Sequence, residues 1–486
     1  MEVYNSISRK KEKIKNNKVD IYVCGPTVYD KAHIGNIRTY VTLDIIIRIL
    51  KFLKYNVYTV INITDVDDKI IKNNSDTRHF ESCFFNDLNN LNVLKYNKIE
   101  RVTDNIVYIT EFINVLINNN FAYKSNGSVY FNINNYKEKY DYNILKKEEF
   151  KKLNTNTDKK NQNDFALWKK RDDVYFQSEF GNGIPGWHIE CSTIIHRTIG
   201  NILDIHAGGK DLKYPHHENE LAQLKAHSNG NIKMFLHIGH LNINKKKMSK
   251  SLGNIVLVDD ELKKYSSNTI RFLFLLYHWS KDIDYNDINI KKATNYDNIF
   301  NSFILNIERK IKNKNKSNFK DDINLYLVYF DTIKYVDIYL KDNIDTPKVL
   351  KVLKHLMNYS TTYVYYDKNI LKKIYNYVIN IFYMLGIKIL NNRDMYSYEF
   401  EIFKIKILEI DSSILKYIKD FEKNNKYIYL NELVLFREII RKYALLEKNN
   451  ELLYECQYLR DDILPKYNII LSDNINGSSK ILIKDK

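Results

Sequence analysis

VDIYVCGPTVYDKAHIGNIRTYVTLDIIIRIL, residues 19–50, followed by NVYTVINI, residues 56–63, decides the fold. VDIYVCG reads as a short strand, and PTVYDKA as a proline-containing turn. Ile34, Ile37, Val41, Ile45 and Ile49 then recur at helical spacing. NVYTVINI is a second strand. A strand, a helix and a strand with short connections make the βαβ unit of a parallel sheet, in which ligands sit beyond the carboxyl ends of the strands. Cys24, His33 and Thr64 fall at those ends.

Outward from this unit, residues near 75 to 120 read as helical. The stretch 121–190 is mixed and carries the polar run KKLNTNTDKKNQND, an exposed loop within an insertion. NILDIHAGG is again strand-like. It leads into a helix beginning near Pro215, HHENELAQLKAH, and MFLHIGHLNI follows as another strand, so a second half-sheet is expected near 185–245. Beyond about Lys291 long helices rich in Lys, Ile, Asn and Tyr, with almost no Gly or Pro, predict a helical bundle. KIKNKNKSN, residues 310–318, reads as a solvated face or loop, and NIILSDNINGSSKILIK predicts a terminal hairpin.

The chain has 486 residues, more than one hydrophobic core sustains, so two to four domains are expected. With 44% hydrophobic and 28% charged residues it is neither disordered nor membrane-spanning in composition. No apolar run approaches the length of a bilayer-spanning helix, and the basic N-terminus lacks the apolar run of a secretory signal. The formal charge of +16 suits a polyanionic partner, with nucleic acid foremost. An AT-rich genome, which favours Lys, Asn, Ile and Tyr together, would also raise it. Cys24, Cys83, Cys191 and Cys456 include no C-x-x-C pair, which argues against a disulfide scaffold and fits a reducing compartment.

Three constellations carry chemistry. Lys247-Met248-Ser249-Lys250-Ser251 places two ammonium groups on one loop, which by itself reads equally as a basic surface loop. His33-Ile34-Gly35-Asn36 stands at the strand-to-helix turn. There glycine lets backbone approach a nucleotide and the helix start offers free N–H groups to anionic oxygens. Cys24 and Cys191 are joined by His216 and Glu220, four apart on one helix face. These four are either a tetrahedral metal site or two buried thiols beside a surface His/Glu pair.

The first two motifs resemble the KMSKS and HIGH elements of class I aminoacyl-tRNA synthetases, with Asn36 in place of the usual second histidine. YVCGPTVYD, NITDVDDKI, GWHIECS, DIHAGGKDL and PHHENELAQ resemble the corresponding segments of cysteinyl-tRNA synthetases. Ala207 replaces a glycine of that pattern. The resemblance is dense from about Val19 to Tyr285, sparse through the bundle, and returns in YLRDDILPKYNIILSD, which resembles the family's anticodon-reading end.

The resemblance implies one zinc ion on Cys24, Cys191, His216 and Glu220, with His217 and Glu218 as the neighbours to be told apart from true ligands. It implies a cysteine pocket of Thr64, Trp187, His206 and Asp211, ATP contacts from His33, Gly35, Asn36 and Lys250, and catalytic roles for His33, Asn36, Lys247 and Lys250. ATP with Mg²⁺, L-cysteine and cysteine tRNA are the implied substrates. A cytoplasmic monomer is implied, an organelle of an AT-rich eukaryote being the alternative. A soft thiolate would bind zinc where a serine hydroxyl would not, so no editing site is needed. Cys83 and Cys456 match no metal pattern and read as small core residues.

The expected architecture is α/β: a Rossmann-type parallel-sheet catalytic domain with an insertion, then an α-helical bundle and a small mixed α+β C-terminal domain. The expected boundaries are 1–120 and 191–245 for the two catalytic halves, 121–190 for the insertion, 246–295 for the stem-contact region, 296–410 for the bundle and 411–486 for the anticodon-binding end. Two rivals differ in function. One is a ligase of the same superfamily that joins cysteine to a small amine; the long basic C-terminal half counts against it. The other is a non-catalytic RNA-binding paralogue, against which the complete KMSKS and ligand sets count.

Overall fold

In a computed structural model, residues 1–146, 158–173, 175–243, 246–248, 253–313, 319–362 and 367–389 are described. Toward the C-terminus the described residues are 434, 437, 438, 441, 445, 450–467, 469–473 and 479–483. The chain divides into two compact units. The first is Met1–Phe300, Val336–Lys351 and Ile379–Leu390; the second is Asn301–Tyr335, Val352–Val378 and Asn391–Lys486.

A hairpin, β1 (Glu2–Asn5) and β2 (Lys10–Lys13), precedes the predicted unit: β3 (Lys18–Val23), α1 (Ile34–Phe52) and β4 (Asn56–Ile63). Next come α2 (Asp68–Asn73), α3 (Thr77–Asn90), β5 (Lys98–Arg101) and α4 (Ile106–Asn118). The insertion contains β6 (Ala122–Ser125), β7 (Ser128–Phe131), α5 (Ile133–Lys137), β8 (Phe165–Lys170) and β9 (Gly183–Pro185). The second half-sheet follows with α6 (Ile189–Thr198), β10 (Ile202–Gly209), α7 (His216–Ser228) and β11 (Asn231–Ile238).

Strands β11, β10, β3, β4 and β5 form one sheet in that order, every neighbouring pair parallel. The order reverses direction between β3 and β10. That junction is a topological switch point, where the loops leaving the carboxyl ends diverge and open a crevice. Strands β6 to β9 form a separate antiparallel sheet in sequence order, as a compact insertion between β5 and β10 allows. The sequence reading took residues 75–120 as helical, but β5 interrupts them. Its residues, KIER, of which Lys98 and Ile99 are exposed and Glu100 is buried, carry no apolar periodicity, and the short strand exists because β4 offers it an edge.

MFLHIGHLNI also divides, into β11 and a short β12 (Leu241–Ile243), which joins β13 (Lys246–Lys247) and β14 (Ile283–Asp284) in a small sheet. Helices α8 (Val258–Lys264) and α9 (Ser267–Leu275) lie between the last two of these strands. Four long helices follow as expected: α10 (Asp287–Lys312), α11 (Phe319–Lys341), α12 (Thr346–Thr362) and α13 (Lys368–Met384). Near the end α14 (Asn450–Tyr458) precedes β15 (Ile469–Asp473) and β16 (Ser479–Ile483), which pair antiparallel as the predicted hairpin. No helix among the described residues is long and apolar enough to cross a membrane.

Helix α1 is buried along nearly its whole length, including Arg38 and Asp44. Asp44 accepts from Arg271 on α9 at 2.5 Å, from Arg48 at 2.8 Å and from the backbone of Leu94 at 2.9 Å. Arg271, fully buried, also donates to the carbonyls of Leu91 and Leu385 at 2.9 and 2.8 Å. Burial lowers the guanidinium pKa and Asp44 works against that loss, so the pair stays ionised and ties α1 to α9. In the second unit Arg437, also buried, holds Asp473 at 2.6 and 2.7 Å. The Arg437 hydrogen bond keeps the Asp473 carboxyl well below its ordinary range despite burial.

Of the two cysteines read as core, Cys456 is buried, whereas Cys83 is only half-buried, with its sulfur 3.6 Å from His79 Nε2. Cys83 and His79 lie one turn apart on α3, off the face that buries Phe84 and Leu88. Residues 151–157 of the insertion's polar run and 314–318 of the lysine-rich run lie outside the described residues.

Candidate metal centre and active site

Cys24 is the first residue after β3, at the switch point. Gly25 follows because nothing larger fits: a Cβ there would lie 1.6 Å from the Asn62 carbonyl oxygen. Asn62, near the end of β4, accepts from Gly25 N–H at 2.8 Å and donates to Thr64 Oγ1 at 3.1 Å. Cys191 arrives on the first turn of α6, and His216 and Glu220 on successive turns of α7. All four are buried.

Their donor atoms all lie within 4.8 Å of one another. Cys24 Sγ is 3.9 Å from Cys191 Sγ, 3.5 Å from His216 Nε2 and 3.6 Å from Glu220 Oε1, and Cys191 Sγ is 3.7 Å from His216 Nε2. A tetrahedron with metal–ligand bonds of about 2.0–2.3 Å has edges of roughly 3.3–3.8 Å. Four of its edges are therefore already near their length. His216 and Glu220, 2.7 Å apart, instead meet in a direct hydrogen bond.

The electrostatics also call for a cation. Burial pushes the Cys24 thiol well above its ordinary range, and Cys191 and Glu220 push it further. Burial opposes ionisation of Glu220 as well, but His206 and His216 outweigh it and hold the carboxylate well below its ordinary value. Ionising both thiols beside that carboxylate, with all these groups buried, would call for a divalent counter-charge. The donor set fits a metal that accepts sulfur, nitrogen and oxygen together.

A second grouping shares two of these residues: Cys24, His206, His217 and Glu220. His217 Nε2 is 3.4 Å from Cys24 Sγ, and its Nδ1 is 2.8 Å from His237 Nε2, whose Nδ1 is in turn 2.7 Å from Ser6 Oγ. Glu218 points away, accepting from the backbone N–H groups of Ile144 and Leu145 at 3.1 and 2.7 Å, which removes it as a ligand.

Of the expected cysteine pocket, Thr64, Trp187 and His206 adjoin the cluster. Thr64 donates to Glu190 at 2.8 Å, Trp187 stacks on the His216 ring at 4.3 Å while 40% exposed, and His206 Nε2 bonds Glu220 Oε2. Asp211 is not brought into it. It is exposed after β10, 3.6 Å from His240 Nε2. Four neighbours escaped the sequence reading: Asn62, His188, Glu190 and His237. His188 Nδ1 is 2.9 Å from His216 Nδ1 and orients that ring, and burial drives the His188 pKa well below its ordinary value. The histidine beside a cysteine in GWHIECS was its only signal.

The start of α1 meets Met248 and the segment Val256–Leu257. His33 precedes α1, Ile34 N–H donates to Val256 O at 2.9 Å, and His33 bridges Leu257. A Cβ on Gly35 would stand 3.2 Å from the Met248 Cβ, so glycine lets Met248, itself buried, pack against the start of α1. Asn36 Oδ1 accepts from the His33 backbone N–H at 2.9 Å. A pocket opens beside them, lined among others by Pro26, Thr27, Lys31, His33, Asn36 and Tyr40. Lys250, Ser249 and the Lys247 side chain lie outside the described residues.

Residues 10–295 match the family model of the class I (C) tRNA synthetase catalytic domain. The chain is 35% identical to the cysteine–tRNA ligase of Encephalitozoon cuniculi over 98% of each protein. It is 34% identical to that of Methanococcus maripaludis over 93% of this chain and 94% of that protein. The cytoplasmic cysteine–tRNA ligase of Dictyostelium discoideum is 33% identical over 97% of this chain and 75% of its own. Among solved structures, methionyl-tRNA synthetase of Mycobacterium tuberculosis shares the fold at a TM-score of 0.56 and 13% identity, over 76% of this chain and 90% of that one.

Proposed function

The chain belongs to the cysteine–tRNA ligase family of class I aminoacyl-tRNA synthetases, and from that premise we propose how its residues carry out cysteine activation and transfer. The buried set of two thiols, an imidazole and a carboxylate at the switch point carries the reading. Cys24, Cys191, His216 and Glu220 would hold one Zn²⁺. When bound, it supplies a position that a substrate thiolate fills and a serine hydroxyl does not.

Thr64, Trp187 and His206 shape the space around the amino acid. Trp187, stacked over His216 and partly open to solvent, covers its mouth. Activation joins the cysteine carboxylate to the α-phosphate of ATP, with pyrophosphate leaving and Mg²⁺ accompanying the nucleotide. The first N–H groups of α1, the Asn36 amide and the lysines of the KMSKS loop stabilise charge on the phosphates, while the protein mainly positions the reactants. A ribose hydroxyl at the tRNA 3′ end then displaces AMP. Residues 296–410 and 411–486 serve as the bundle and the anticodon-reading end, which the long basic helices and terminal hairpin support. The setting is the cytoplasm and the working form a monomer.

The test is charging of cysteine tRNA with radiolabelled cysteine, with serine, pyrophosphate exchange and a zinc chelator as controls. Charging with cysteine alone, abolished by the chelator, is the expected result. Exchange without charging would point to a small-molecule cysteine ligase, and neither activity to a non-catalytic RNA-binding chain.

A further inference from the structure

The N-terminal hairpin reaches the metal centre through a row of buried polar groups. Asn5, at the end of β1, accepts from the Phe235 backbone N–H at 3.0 Å and donates to the Lys233 carbonyl at 2.9 Å. Ser6 N–H donates to the Phe235 carbonyl at 3.1 Å. These bonds fasten the hairpin to β11 and place Ser6 Oγ 2.7 Å from His237 Nδ1. On the other side of that ring Nε2 lies 2.8 Å from His217 Nδ1, and His217 Nε2 lies 3.4 Å from Cys24 Sγ. Ser6, His237, His217 and Cys24 are each at most 5% exposed.

Their chemistry sets where the protons sit. Burial disfavours charging either imidazole, so each ring carries one N–H and one lone-pair nitrogen. Among the described residues Ser6 Oγ has no partner but His237, so its hydroxyl proton goes to Nδ1. His237 is then protonated on Nε2 and donates to His217 Nδ1, which leaves His217 to donate from Nε2 toward the Cys24 sulfur. A cysteine that ligates a metal does so as the thiolate, which only accepts. Every donor in the row therefore points inward. Were His217 itself a ligand, its Nε2 would carry no proton, the row would run outward, and the buried Ser6 proton would lose its acceptor.

We propose that Ser6 and His237 are positioning residues of the metal centre, fixing the tautomer of His217 so that it donates to the Cys24 thiolate. The inference rests on the cysteine–tRNA ligase reading and on Cys24 as a ligand. A hydrogen bond to a ligating sulfur draws charge from it and leaves the metal a better acceptor for the sulfur of an incoming cysteine.

The test uses the full-length protein loaded with Co²⁺ in place of the spectroscopically silent Zn²⁺, so that sulfur-to-metal charge transfer is seen directly. Ser6→Val and Ser6→Thr have the same shape and differ only in the hydroxyl. His237→Phe removes the donor to His217 and keeps a ring stacked on Phe235, 5.8 Å away. Ser6→Val and His237→Phe are expected to move the charge-transfer band to longer wavelength and to weaken metal binding, measured against a chelator, about 10-fold. Ser6→Thr should match the parent in both. In pyrophosphate exchange by the zinc-loaded protein, Ser6→Val and His237→Phe should raise KM for cysteine and leave KM for ATP unchanged. A hairpin that only supports the fold would lower the melting temperature in Ser6→Val without moving the band, and that result would overturn the proposal. So would a band displaced equally in Ser6→Thr and Ser6→Val. A parent without the band would remove Cys24 as a ligand and the proposal with it. A parent that shows the band but no cysteine-dependent exchange would refute the ligase reading, and the band comparison would still decide this one.

Discussion

Asn36 accepts a hydrogen bond from the backbone N–H of His33 at 2.9 Å, so the residue that departs from the usual family motif also closes the start of α1. Its amide oxygen is committed to the cap, and Asn36 also lines the pocket together with Thr27 and Lys31, so its NH₂ group is the part left to donate. One side chain thus fixes the helix terminus and offers a donor at the place where that terminus favours anions.

Asn36→Asp separates those two roles. It keeps the acceptor and adds a charge that the helix start tolerates, so thermal stability should hold while pyrophosphate exchange falls roughly 10²-fold through loss of a donor. Asn36→Ala should in addition lose about 1 kcal/mol of stability. Full exchange in Asn36→Asp would reduce the residue to a cap.

Arg271→Met strands Asp44 inside the protein with only Arg48 and a backbone N–H left to it. Urea denaturation should show a loss of about 3–5 kcal/mol, with the Arg271→Met/Asp44→Asn pair less damaged than the sum of its parts. Additive losses would mean that the two residues do not act as a unit.

Removing one donor from the buried cluster should release the metal. Cys191→Ser and Glu220→Gln, purified with limiting zinc, should each carry well below one zinc per chain by elemental analysis, and Cys191→Ser should lose discrimination between cysteine and serine. Glu218→Gln should keep its zinc, since that carboxylate is spent on Ile144 and Leu145. Stoichiometric zinc in Cys191→Ser would sink the assignment.

His227 lies against Phe112 at 3.8 Å and meets His196 edge-on at 4.4 Å. Burial, aided by His196, lowers its pKa from 6.5 to about 4. A depressed folded-state value contributes stability that is complete above pH 6.5 and lost as the pH falls toward 4. The loss should be roughly 1 kcal/mol once solvent screening of this partly exposed ring is counted. Melting temperatures from pH 7 to 4 should therefore fall less steeply in His227→Gln; parallel curves would remove His227 from the acid response.

The βαβ unit, the second half-sheet from Asn201, the long helices and the final hairpin were legible because local periodicity and turn chemistry act over a few residues. The four donors were legible only because their flanking segments matched a known pattern; spacing alone left them open as buried thiols. Strand β5 was not legible, since KIER becomes a strand only when β4 supplies the partner edge. Nor were the orienting contacts of His188 and Glu190, the turning away of Glu218, or the pairing of Asp44 with Arg271 some 227 positions later. Local sequence specifies which backbone is favoured and which face is apolar. Which side chains meet across the closed sheet depends on strand order and on the switch between β3 and β10, and those are settled only when the whole core packs.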